Sequence, residues 1–250
     1  MAAESQGFKT GYFGELVAFE ENNFWFRSRN RLIFWALQKY FPNAEKFLEI
    51  GCGTGFVLSG IEKAFPHLTL YGSEIFSAGL AYAARRLNKA ELYQMDARKI
   101  PFENEFDVIG AFDVLEHVED DVVVLQQMHQ ALCSGGGLLV TVPQHPILWS
   151  HLDEYACHVQ RYTKKELRSK VVQAGFELER ITSFVSLLLP FMAASRVRTR
   201  WAKNDPLAGL KLGNLTNSLM EKALDMERAL ICKDISLPLG GSLLLVGRKK

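Results

Sequence analysis

"FLEIGCGTGF", residues 47–56, sets three glycines at every second position behind an acid that closes a short apolar run. Phe47, Leu48 and Ile50 read as a buried strand, and Gly51, Gly53 and Gly55 as the turn after it. With no Cβ at alternate positions, such a turn can take positive φ and let a ligand approach its backbone closely. Three ligand classes compete for it. A phosphate loop of the GxxxxGK[ST] kind is excluded, because no lysine follows. A dinucleotide fingerprint, GxGxxG, needs its third glycine where Phe56 stands, which disfavours a nicotinamide oxidoreductase. What remains is acid-x-G-x-G-x-G, a bare backbone turn beside the carboxylate of Glu49.

Outward from this turn, strand-like and helix-like runs alternate. "KFLEI" precedes a helix from about Gly55 to Phe65, and "LTLYGSEI" precedes "SAGLAYAARRL". "AELYQMD" leads to a short loop, "FDVIGAFD" to the helix "DDVVVLQQMHQAL", then come "GGLLVTVP", the helix "TKKELRSKVVQAG" and "FELERITSF". The alternation implies a parallel sheet covered by helices on both faces. Glu15 to Tyr40 has helical spacing that the aromatic cluster "NFWFRSRNR" interrupts. Residues 185–237 are too long for a plain connection to the final "GGSLLLVGRKK" and read as a helical insertion. The expected organisation is a helical lid over 1–45, a core over 46–184 plus 238–250, and the insertion 185–237.

Composition narrows the function. With 250 residues, 48% of them hydrophobic, the chain can bury one full α/β core with an elaboration. Lys plus Arg number 29 against 28 acids, so no global basic field exists and nucleic acid is not an expected partner. Cys52, Cys133, Cys157 and Cys232 form no CxxC pair, and the N-terminus shows no charged start followed by an apolar stretch. Reduced thiols in a cytoplasm are the expectation.

The turn, with Glu74 in "YGSEIF", Asp96 in "YQMDARKIPF" and the run "FDVIGAFDVLEHVED", resembles the ordered motifs of class I, Rossmann-like S-adenosylmethionine-dependent methyltransferases, from about Lys46 to Phe184. The resemblance implies a doubly wound, mostly parallel seven-stranded sheet with an antiparallel last strand, and S-adenosyl-L-methionine as cofactor. It assigns Glu49 to the loop or the cofactor ammonium, Glu74 to the ribose hydroxyls and Asp96 to the adenine amino group. Ile75, Phe76, Ala97, Cys52 and Phe112 join Gly51, Gly53 and Gly55 as the remaining candidate cofactor contacts.

The acceptor is less legible. No [DNS]-P-P-[YFW] follows the fourth strand, which argues against amines of nucleobases. A small-molecule, glycan or lipid-linked acceptor is expected, methylated at a hydroxyl oxygen. The stretch "VPQHPILWSHLDEYACHVQRYTKKEL" falls where a parallel sheet presents its carboxyl ends. It offers His158 and His145 as candidate general bases, and Asp153, Arg161 and Tyr162 as candidate acceptor contacts. With "FWFRSR", which adds Trp25 and Arg29, it resembles a group of bacterial methyltransferases associated with cell-surface glycan genes. Those often carry His-x-Arg-Arg-Tyr where this chain has Gln160. Asp113, Glu116 and His117, in "DVLEH", are similar to the E-x-x-E-H by which some small-RNA and quinone O-methyltransferases hold a divalent cation. Here the first acid is Asp, and no metal site is expected. A scaffold that keeps the fold without turnover remains an alternative.

The insertion adds a last expectation. Phe184 to Ala194 is mostly apolar and runs into Arg196, Arg198, Arg200 and Lys203 without an acid. The run is too short to span a bilayer. It suits a peripheral membrane anchor, a lid over a lipid-like acceptor, or a homodimer contact.

Overall fold

The computed structural model describes residues 11–199 and 212–250. Arg200 and Lys203 lie outside them. Seven strands form one sheet in the order β3-β2-β1-β4-β5-β7-β6. They are β1 (Lys46–Ile50), β2 (Thr69–Glu74), β3 (Glu91–Gln94), β4 (Phe106–Phe112), β5 (Leu132–Pro143), β6 (Phe176–Phe184) and β7 (Ser242–Lys249). β1 pairs in parallel with both β2 and β4, and β4 with β5. β7 alone runs antiparallel, wedged between β5 and β6.

The sequence builds both faces from the same strands. Successive strand residues point to opposite sides, so Phe47, Val108, Leu139 and Leu244 enter one core and Leu48, Ile109, Leu138 and Leu245 the other. Strands buried on both faces need continuous apolar runs, as β1, β4, β5 and β7 have. The first core is covered by α2 (Phe24–Tyr40), α3 (Phe56–Ala64), α4 (Ser77–Arg86) and α9 (Asn214–Cys232). The second is covered by α5 (Asp121–Ala131) and α7 (Lys164–Gln173).

Strand order reverses between β1 and β4. The crevice at their carboxyl ends is the switch point at which open α/β sheets bind ligands. Gly51 follows β1 there and Asp113 follows β4. The first takes φ 66°, and the second is a non-glycine residue at φ 58°.

Two expectations change at the N-terminus. The cluster "NFWFRSRNR" does not interrupt a helix but starts one: the Asn23 side chain accepts from the Trp25 N–H and caps α2. Phe26, Leu32, Ile33 and Leu37 of α2 are buried, so this helix is a core layer and no lid. The element that covers the glycine turn is the shorter α1 (Tyr12–Glu20). Among the described residues, the segment 185–237 holds α8 (Leu189–Thr199) and α9. α9 packs along α2, where Glu221 takes both Arg27 and Arg31. Among the described residues no helix is long and apolar enough to cross a membrane.

Candidate active site

The glycine turn is built as the spacing requires. Gly51, Gly53 and Gly55 all have positive φ, at 66°, 53° and 74°. They differ in what surrounds them. A Cβ on Gly55 would press on the Ala83 backbone of α4, so that glycine serves packing. A Cβ on Gly53 would meet only the Phe13 ring, at 3.9 Å, so space above its backbone is open apart from α1. Close approach of a ligand to Gly53 is therefore possible wherever α1 gives way.

Two carboxylates flank the turn. Glu74 ends β2 and accepts from the Gly53 N–H at 3.0 Å and the Phe76 N–H at 3.1 Å. Burial raises its pKa, and those two N–H groups oppose the shift. One hydrogen bond on each oxygen leaves lone pairs for a diol. Glu49 lies 2% exposed inside β1, and its Oε2 has no hydrogen-bond partner. Burial pushes its pKa up to about 8 against the pull of the Arg29 guanidinium. An unpartnered buried carboxyl oxygen beside a ligand-permissive turn fits the ammonium of S-adenosylmethionine.

At the neighbouring strand ends the candidates divide. The Ile75 carbonyl accepts from Gln94 Nε2 at 3.0 Å, which ties the ends of β2 and β3 together. Phe76 is the N-cap residue before α4, its ring 6.2 Å from that of Phe13. Asp96 accepts from the Arg98 backbone N–H at 2.9 Å and from the Arg98 guanidinium at 2.7 Å. The Arg98 hydrogen bonds hold its carboxyl below the ordinary range. Ala97 lies within this turn. Two candidate side chains are corrected. Cys52 is 5% exposed with its thiol against the Gly72 position, and burial pushes the thiol pKa up. Phe112 folds its ring over Gly110 in the same core. Both side chains pack into the core.

α1 closes over the turn. Phe13 would touch a Cβ at Gly79 as well as one at Gly53. Glu20, buried at the end of α1, accepts from the Thr54 hydroxyl and from Arg86, each at 2.7 Å. At its other side the Tyr12 ring lies 4.3 Å from that of Tyr155 of α6 (His151–Tyr155), tilted by 36°, and the Tyr155 hydroxyl donates to Glu15 at 2.8 Å. Phe13, Glu20, Thr54 and Arg86 were missed in the sequence, because their partners come from distant segments.

The loop after β5 is held from inside. Asp153 accepts from the Ser150 N–H (2.9 Å), Arg161 Nε (2.7 Å), Arg196 (2.8 Å) and His158 Nδ1 (3.0 Å). Burial alone would raise its pKa; His158, Arg161 and Arg196 outweigh that and hold it well below the carboxylate range. Arg161 also donates to the Gln144 carbonyl at 2.9 Å. The Tyr162 hydroxyl donates to Asp121 at 2.6 Å, and its ring is 1% exposed. Asp153, Arg161 and Tyr162, expected to meet the acceptor, are thus corrected to supports of the loop. Gln160 donates to Asp121 and to the Val118 carbonyl, so it too ties the loop down. Arg196 turns inward onto Asp153, which removes its guanidinium from a cationic surface patch. Of the apolar run before it, Val185 and Leu188 are buried and Leu187 and Phe191 exposed.

What this loop presents to the crevice is histidine. His158, its Nδ1 on Asp153, packs edge-on at 4.8 Å from His117. His117 follows Glu116 in a 3₁₀ turn (Leu115–His117) after β4, and the Glu116 carbonyl accepts from the Val159 N–H at 2.7 Å. Burial, with His158 beside it, lowers the His117 pKa to about 4. Arg29 pairs with Asp113 and stacks 4.7 Å over Trp25, so the Trp25 ring is occupied and Arg29 sits beside the buried acids. His145, at φ 65°, has a buried Nε2 without a hydrogen-bond partner, and burial lowers its pKa.

Comparison with known proteins agrees with this geometry. The family model described as "Methyltransferase domain" matches residues 19–181. A Mycolicibacterium smegmatis protein named "Probable S-adenosylmethionine-dependent methyltransferase" is 26% identical over 64% of this chain and 62% of its own length. The ubiquinone biosynthesis O-methyltransferase of Pseudomonas aeruginosa is 32% identical over 41% of this chain and 46% of its own. The chain spans less than two thirds of the length of these curated relatives. Among solved structures, the one described as "Complex between the Haloferax volcanii Trm112 methyltransferase activator and the putative methyltransferase" superposes with a TM-score of 0.63. It shares 12% identity and covers 98% of this chain and 99% of that one, a likeness of fold. With the model matching well over half of the chain, the chain belongs to the methyltransferase-domain family.

Proposed function

We propose that the chain transfers the methyl group of S-adenosylmethionine to a hydroxyl oxygen of a small-molecule, glycan or lipid-linked acceptor. The observation that carries the hydroxyl reading is the Asp153–His158 pair at the crevice. An ionised, buried Asp153 fixes the proton on His158 Nδ1, so Nε2 keeps the lone pair that a hydroxyl proton needs. The P. aeruginosa relative, by its name, is an O-methyltransferase.

The cofactor supplies an activated methyl on a sulfonium, so the chain needs alignment and water exclusion more than strong acid–base chemistry. Glu74 accepts the ribose hydroxyls, Gly53 admits the cofactor to its backbone, and Glu49 with Arg29 meets the ammonium and carboxylate. Asp96 and Ala97 meet the adenine edge, and Phe76 its face. α1 excludes water from the reacting groups.

The test is turnover with methyl-labelled cofactor over matched hydroxyl and amine acceptors. Label in an ether that alkaline hydrolysis leaves intact supports the reading. Label in amines alone, or cofactor binding without any transfer, contradicts it.

A further inference from the structure

Lys164 is a half-buried ammonium without an acid. Its Nζ donates to the Leu237 carbonyl, and burial lowers its pKa with no carboxylate among the described residues to oppose the shift. A charge in that state is costly unless an anion meets it. It also stands against its own helix: Lys164 and Lys165 open α7, where the partial positive charge of a helix N-terminus disfavours cations. The capping box of Thr163 and Glu166 takes the Glu166 N–H and leaves those of the two lysines open.

Beside this turn runs the end of β5. Gln144 bridges Tyr162, and the His145 N–H donates to the Tyr162 carbonyl at 2.9 Å. Gln144 Oε1 and His145 Nε2, on consecutive residues, are both buried without a hydrogen-bond partner, and Gln144 is 2% exposed. Orphaned polar atoms of that kind mark a missing partner. The wall behind them is positive. Arg161, its Nη1 on the Gln144 carbonyl, shares the single carboxylate of Asp153 with Arg196, so one of the two guanidinium charges stays uncompensated.

We propose that Lys164, His145 and the first turn of α7 form a subsite for a phosphoryl group carried by the acceptor. A phosphate dianion takes the ammonium, the open N–H groups of the helix and one imidazole N–H, and meets no acid there. Resting on the O-methyl reading above, the acceptor is then a phosphorylated hydroxyl compound. The two ends of its site are tied together, because His158 Nδ1 and Arg161 Nε donate to the same oxygen of Asp153, at 3.0 and 2.7 Å. The phosphoryl group keeps all its bonds and serves to bring the hydroxyl to His158.

Calorimetric titration of the full chain with inorganic phosphate and with glycerol 3-phosphate tests the subsite without turnover. The expected result is one ion per chain for either probe, weakened about tenfold or more in Lys164→Met and several-fold in His145→Ala. Lys165→Met, which removes the same charge from the exposed neighbouring residue, should change binding far less. No saturable binding to folded protein overturns the proposal. So does binding that Lys164→Met and His145→Ala both retain, or an equal loss in Lys165→Met, which would mean an adventitious ion only. Phosphatidic acid vesicles that displace phosphate from wild type support the subsite with a lipid-linked phosphate as its source; displacement by the soluble ester alone supports it with a free one. If phosphate does not bind and hydroxyls are still methylated, the subsite falls and the reaction stands. If phosphate binds as described but only amines are methylated, the subsite stands and the hydroxyl assignment falls.

Discussion

The two rims of the crevice spend their polar groups in opposite ways. On the glycine-turn side few charged residues are present, yet valences remain open: Glu49 Oε2 has no partner, and Glu74 holds one N–H on each oxygen. On the side of the loop after β5 the sequence is crowded with charge, but Asp153, Arg161, Arg196, Tyr162 and Gln160 are consumed by one another and by the backbone. Polar density therefore does not measure chemical availability. Satisfied groups build the wall, and the unsatisfied ones behind it mark the site.

The largest expected effect tests the wall. Asp153→Ala leaves the buried Arg161 and the half-buried Arg196 without their common partner, and breaking a buried pair such as Arg161–Asp153 costs about 3–5 kcal/mol. Urea unfolding should show that loss; a change below about 1 kcal/mol would place the network at the surface energetically. Next comes the open rim. Glu74→Ala should reduce S-adenosylhomocysteine affinity by about 1.5–3 kcal/mol, the worth of a charge-assisted hydrogen bond. Because the Gly53 and Phe76 N–H groups also lose their acceptor, stability should fall too, but by less than in Asp153→Ala.

The fold was largely legible in the sequence because its signals are local. Apolar runs bounded by turns gave the strands, and the Gly51, Gly53, Gly55 spacing gave the turn. The start of α2 was legible too: Asn23 before "FWF" is an N-cap signal, but the aromatic cluster was read as a break. The site was half legible. Glu49 and Glu74 follow from position relative to the turn. Asp153, Arg196 and His158 do not, since their roles come from contacts that no periodicity encodes. Arg29 meets Asp113 across 84 positions, and Arg196 meets Asp153 across 43.

A pH experiment sharpens the same contrast. Glu49, facing Arg29 with Glu20 and Glu74 nearby, is raised from 4.5 to about 8 by burial. The folded state then holds a proton that the unfolded state releases above about pH 4.5. Its contribution to stability is full below that pH and is lost as pH rises towards 8. Glu49→Gln should flatten this slope. Calorimetry in buffers of different ionisation enthalpy should show up to one proton released on cofactor binding near neutral pH. Proton uptake instead would remove Glu49 from the ammonium. The smallest expected effect lies where α1 meets the loop side. Tyr155→Phe removes the hydrogen bond to Glu15, worth about 0.5–1.5 kcal/mol. Cofactor release in stopped-flow should quicken several-fold while thermal unfolding barely moves; unchanged release would mean that α1 does not gate the site.

The open rim, from Gly51 to Glu74, has the shape and charge of an S-adenosylmethionine site. Calorimetry of wild type and Glu74→Ala with S-adenosylhomocysteine and with NAD tests it most directly. One-to-one binding of S-adenosylhomocysteine is expected in the micromolar range, roughly −8 kcal/mol, sharply weakened in Glu74→Ala, with no NAD binding to either. Equal affinity of both proteins for S-adenosylhomocysteine, or tighter binding of NAD, would contradict it.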